Sequence, residues 1–162
     1  MNPYVFLVLL LSAMAVAQEK QAVKIYNPDA DAGKEVQQAI ARAAAEGKQV
    51  LAQVGGNWCP WCIRLEKLFS GNDTIAAMLR DNYVFVRVNY STENRNLPLL
   101  ARYGNPQRFG FPVLLVIDAK GVLLHTQDSG FLEEGKAHSP EKVLAFLSKW
   151  TVKALDPKQY LE

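Results

Sequence analysis

Cysteine is scarce: two in 162 residues cannot build a disulfide-rich scaffold. Excess charge is scarce too. Eighteen Lys and Arg against sixteen Asp and Glu leave a formal net charge of +2. No basic cluster forms a stripe, which argues against an electrostatic nucleic-acid binder. Internal repeats and low-complexity tracts are missing, and beyond the N-terminus no apolar run is long enough to span a bilayer. What is present is ordinary for a folded chain: 49% hydrophobic and 21% charged residues, which argues against disorder. The length suits a single domain that buries roughly 70% of its unfolded surface without disulfide staples.

Residues 1–17 stand apart from that domain. Val5 to Leu11 is an apolar run, and Ala15-Val16-Ala17 before Gln18 has the small-residue pattern of a cleavage site. This predicts a secretory signal peptide, removed after Ala17. An uncleaved anchor fits less well, because the run is short for a ~30 Å hydrocarbon core and no positive residue marks its cytoplasmic end. No cysteine follows the run, which argues against a lipoprotein. The expectation is one domain over 18–162, with its core at about 49–150, in a periplasmic or secreted and oxidising space.

Apolar periodicity predicts a helix from Asp31 to Glu46, with Asp31 as N-cap, Gly47 as terminator and Val36, Ala39, Ile40, Ala43 and Ala44 inward. Val50 to Val54 is a strand, Cys59 to Phe69 and Asp73 to Arg80 are helical, and Tyr83 to Asn89 alternates as a strand. After one or two helical turns at Leu97 to Tyr103, the aliphatic run Val113 to Ile117 predicts a strand buried on both faces. Val122 to Thr126 returns as a hairpin, and Ser139-Pro140 opens a last helix with Val143, Leu144, Leu147 and Trp150 inward. The order predicts an α/β fold, a central mixed β-sheet with helices on both faces.

The chemistry lies in Trp58-Cys59-Pro60-Trp61-Cys62, between the first strand and a helix. Cysteines three apart at a helix start can close a small disulfide ring. Free N–H groups and the helix dipole stabilise a thiolate at the first, and the second, one turn in, can attack a mixed disulfide formed there. A zinc site is disfavoured: it needs four ligands, and only His125 and His138 remain, at no recognisable spacing. Haem attachment fails because Ile63 stands where a histidine is required. A structural staple is weak because so short a loop removes little unfolded-state entropy.

From Gln49 to Trp150 the chain resembles thioredoxin-like proteins. The resemblance rests on Trp-Cys-x-x-Cys after a strand, Tyr103-Gly104 before a loop, Pro112 opening an aliphatic strand, a glycine-turned hairpin and a C-terminal helix. The stretch Gly55 to Cys62 is similar to secreted bacterial members. The resemblance implies that Cys59 attacks and Cys62 resolves. It also implies that Pro112 is a cis-proline beside the disulfide, that the Phe111 backbone pairs with substrate peptide, and that Trp58 shields the disulfide. No cofactor or metal is implied.

Departures from the family set further expectations. Gln53 stands where thioredoxins carry a buried acid, so proton handling at the resolving thiol must differ. Trp61 replaces the histidine of the periplasmic oxidases; it is exposed for substrate contact or half-buried against Phe109 or Phe111. Asn105 to Phe109 lengthens the link before Pro112 and forms a lip beside the site. Gly130 matches a family glycine near the site or is a simple turn. His125 and His138 are expected to be solvated or capped, and Glu133-Glu134 to be a solvated loop.

Two functions follow. One is a thiol–disulfide oxidoreductase acting on protein thiols or disulfides as a monomer, recharged by a membrane or periplasmic redox partner. The other is a thioredoxin-fold module whose cysteine pair holds Cu(I) or zinc or binds a partner, although no methionine or histidine cluster favours it.

Overall fold

The computed structural model describes residues 24–161, so the signal-peptide reading of residues 1–17 lies outside the described residues. Helix α1 (Ala32–Glu46) starts where the Asp31 carboxylate accepts the Lys34 amide, and stops at Gly47, whose left-handed backbone (φ 66°) suits glycine. Ala44 is exposed; Val36, Ala39 and Ala43 carry the buried stripe. Strand β1 (Gln49–Gly55) leads into α2 (Pro60–Gly71) and α3 (Asp73–Asn82), then β2 (Tyr83–Asn89) and the short α4 (Leu97–Arg102). Pro106–Phe109 is a single 3-10 turn before β3 (Val113–Ile117), which pairs with β4 (Leu123–Asp128). Asn72 joins α2 to α3 as both C-cap and N-cap, its side chain accepting the Ile75 amide.

The strands form one mixed sheet in the order β2-β1-β3-β4, parallel between β1 and β2 and antiparallel elsewhere. Alternation divides each central strand between two cores. Val50, Ala52, Val54, Val113, Leu115 and Ile117 pack toward α1 and α4. Leu51, Leu114 and Val116 face the opposite way, toward Leu65, Ile75, Val143 and Leu147 of α2, α3 and α5 (Pro140–Lys149). All five residues of β3 are buried, and full burial of each such aliphatic side chain contributes ~1.5–3 kcal/mol. Helices therefore cover both faces, as the pattern predicts. Phe146 joins the buried stripe of α5.

Glu133–Glu134 corrects its expectation. It forms β5, paired with β6 (Ala137–His138) in a two-stranded ribbon rather than a solvated loop. The ribbon matters because β6 lies against α2, the helix that carries the cysteines. No helix among the described residues is long and apolar enough to cross a membrane.

Candidate active site

Cys59 and Cys62 are joined in a disulfide with Cα atoms 5.3 Å apart. Cys59 is the N-cap of α2, and its Sγ accepts the Cys62 amide at 3.1 Å. Pro60 fills the first helical position, where a missing N–H does no harm. Cys62, one turn in, is wholly buried, and Cys59 is 3% exposed. The Cys59 sulfur therefore sits at the positive end of the helix dipole, with the Cys62 amide directed at it, and both stabilise negative charge there.

Aromatic side chains frame the pair. Phe111 and Trp61 pack against the cluster of Tyr26, Cys59 and Cys62. The Phe111–Pro112 peptide bond is cis. Trp58 is 55% exposed; its indole N–H donates to the Tyr90 carbonyl at 2.6 Å, and its ring meets Phe111 edge-on at 5.4 Å. Tyr90 lies on the other side of Phe111, with ring centroids 4.7 Å apart. A cleft of about 640 Å³ opens beside Trp58, between Tyr90 and the loop that carries Glu93 and Arg95. Phe109 is exposed under the guanidinium of Arg108, in the turn before Gly110. A β-carbon on Gly130 would meet only the Asp128 carboxylate, so a simple turn accounts for that glycine.

Trp61 departs from both of its expected settings. It is half-buried, but against His138 rather than Phe109 or Phe111, with ring centroids 5.2 Å apart and Arg64 over its face. The expectation of solvated or capped histidines fails at His138, because β6 folds back onto α2. Its ring is buried, and neither nitrogen has a hydrogen-bond partner among the described residues. His125 stacks on Trp150, with 4.4 Å between centroids, and bonds Gln127. Burial, reinforced by nearby Arg64, holds the His138 pKa below its ordinary value. The unfolded chain therefore binds this proton at a higher pH than the folded chain, and folding stability falls as pH drops below about 6.5. Thermal melts at pH 7.5 and 5.5 check this: the acid loss should be smaller in His138→Phe, and equal losses would contradict it.

Gln53 sits on the face of β1 that looks at α2, wholly buried. Its amide nitrogen donates to the Tyr26 hydroxyl at 2.6 Å and to the Cys62 carbonyl at 3.4 Å, while Oε1 has no partner among the described residues. Tyr26 and Asn57 are the site residues that sequence reasoning missed. The Asn57 side chain accepts the Ile25 and Tyr26 amides at 2.8 and 3.0 Å and donates to the Tyr26 carbonyl at 2.8 Å. This clamp ties the segment ahead of α1 to the loop ahead of Cys59. Among the described residues no group of three or more His, Cys, Asp or Glu is placed to hold a metal.

A thioredoxin-like family model matches residues 31–119. Among solved structures, a disulphide isomerase from Xylella fastidiosa Temecula1 superimposes with a TM-score of 0.70 at 28% identity, over 78% of this chain and 96% of that one. A thioredoxin from Thermus thermophilus has a TM-score of 0.55 at 20% identity, covering 74% and 85% of the two chains. A DsbH oxidoreductase has 0.50 at 22%, covering 69% and 81%. The last two share the fold. No curated protein matches the chain.

Proposed function

The chain belongs to the thioredoxin-like family, and from that premise we propose that it is a thiol–disulfide oxidoreductase acting on protein cysteines outside the cytoplasm. The observation that carries the reading is the cysteine pair at the start of α2, where the Cys59 sulfur accepts the Cys62 amide. In the reducing direction, Cys59 thiolate attacks a substrate disulfide and releases one substrate sulfur as a thiolate. Cys62 then attacks the Cys59 sulfur, the internal disulfide forms, and the second substrate sulfur leaves with the electron pair. The reverse sequence oxidises a substrate dithiol. The Phe111 backbone, ahead of the cis bond to Pro112, aligns the substrate chain, and Trp58, Trp61 and Phe111 give the incoming peptide an apolar surface.

The location rests on the leader-like pattern of residues 1–17, and a membrane or periplasmic thiol partner resets the pair after each turnover. Insulin reduction by the reduced protein tests the activity, and equilibration with glutathione buffers gives the potential. The helix N-terminus favours the thiolate, but neither Pro60 nor Trp61 adds a cation. The potential should therefore fall between about −250 and −170 mV. No insulin reduction, together with a potential below about −300 mV, would mark a structural disulfide instead.

A further inference from the structure

The resolving cysteine has a buried neighbour with a hydrogen to give. Tyr26 lies in one cluster with Cys59 and Cys62 and is 3% exposed. The place a β-carbon of Gly55 would occupy is 2.5 Å from the Cys62 sulfur and 2.7 Å from the Tyr26 hydroxyl, so both atoms crowd the same small space. The Gln53 nitrogen is already spent on the Tyr26 oxygen and the Cys62 carbonyl, and Oε1 cannot donate. Because the Tyr26 oxygen accepts from that amide, its own hydrogen is left free for another acceptor.

Resting on the oxidoreductase reading, we propose that Tyr26 is the hydrogen-bond donor to the Cys62 thiolate, delivered there by the Asn57 clamp and oriented by Gln53. The role is electrostatic. Burial holds the phenol well above its ordinary pKa, so it keeps its proton throughout the cycle. The charged groups acting on it are Glu66 of α2 and Arg87 of β2, and these pair with each other. During resolution the Cys62 proton goes to solvent, and the thiolate forms against the hydroxyl. It then attacks Cys59, the Cys59–Cys62 bond forms, and the bond from Cys59 to the substrate sulfur breaks. When a donor thiolate later opens the disulfide at Cys59, Cys62 leaves as a thiolate against the same hydroxyl. A charge-assisted hydrogen bond of this kind speeds both steps.

Stopped-flow reaction of the full, reduced chain with an aromatic disulfide reagent separates the two cysteines. Attack by Cys59 releases a first equivalent of coloured thiolate, and resolution by Cys62 releases a second. In Tyr26→Phe the first phase should be unchanged. The second should slow about tenfold at pH 7, with its pH midpoint raised by about one unit. Equal slowing of both phases, or a second phase slowed alike at every pH, would overturn the proposal in favour of a packing role. An unchanged second phase would overturn it outright, the hydroxyl proton then serving Gln53. Should Tyr26→Phe fail to fold, 3-fluorotyrosine at position 26 keeps the shape and strengthens the donor. A faster second phase then supports the proposal, and an unchanged one overturns it. A wild-type chain that releases only one equivalent and reduces no insulin would overturn the oxidoreductase reading itself, and the proposal with it.

Discussion

Cys59→Ser should lose insulin reduction down to the rate of buffer alone, whereas Cys62→Ser should hold its substrates covalently. The asymmetry comes from where the two sulfurs sit on α2. Cys59 caps the helix at the positive end of its dipole, with the Cys62 amide pointed at its sulfur. Negative charge is stabilised there, so on the proposed function Cys59 supplies the thiolate that meets substrate. Cys62 lies inside the first turn, without solvent exposure, and no substrate disulfide reaches it first. Removing Cys62 leaves the first attack intact and deletes the only group that can release the product, so a mixed disulfide accumulates. Non-reducing gels of each variant, incubated with oxidised protein substrate, measure this directly. Bands of comparable intensity from both variants would end the assignment of one attacking and one resolving cysteine.

The cysteine pair is legible in the sequence because its signal is local: two reactive side chains at a fixed spacing, directly after a strand. Helix α1 is legible for the same kind of reason, since Asp31 and Gly47 mark its ends chemically. The five buried residues of β3 stand out because a strand covered on both faces favours an unbroken aliphatic run. Tyr26 leaves no such mark. It belongs to an irregular segment ahead of α1 and reaches the disulfide only because Asn57, 31 residues away, binds its backbone. A side-chain clamp on two backbone amides and a carbonyl has no periodicity and no required residue type at the other end. Gln53 shows in the sequence as a replaced acid, but the partner of its amide does not. His138 is hidden for a different reason. The ribbon that folds it onto Trp61 is made of two-residue strands, too short to carry an alternating pattern.

Gly55→Ala should strain the oxidised protein by crowding the disulfide directly. Gly55 ends β1, paired in parallel register with Asn89, and its backbone is ordinary, so the constraint is space and not conformation. A β-carbon there would lie 2.5 Å from the Cys62 sulfur, 2.7 Å from the Tyr26 hydroxyl and 3.2 Å from the Tyr26 ring carbon that bears it. Neither neighbour retreats easily. The sulfur is tied to Cys59 by the disulfide, and Tyr26 is held by Gln53 on one side and Asn57 on the other. Overpacking of this kind typically costs ~1–3 kcal/mol, which for a chain of this size lowers the melting temperature by roughly 3–10 °C. Reduction frees the Cys62 side chain to turn away from the intruding methyl, so the reduced form should lose less stability than the oxidised form. The disulfide then becomes easier to reduce, and each 1.4 kcal/mol of difference raises the potential by about 30 mV. Melting curves of both redox forms, with glutathione equilibration of the variant, read the two effects together. Equal losses in the two forms with an unchanged potential would mean that the methyl is absorbed by moving β1, leaving the contact with the Cys62 sulfur without influence on the redox balance.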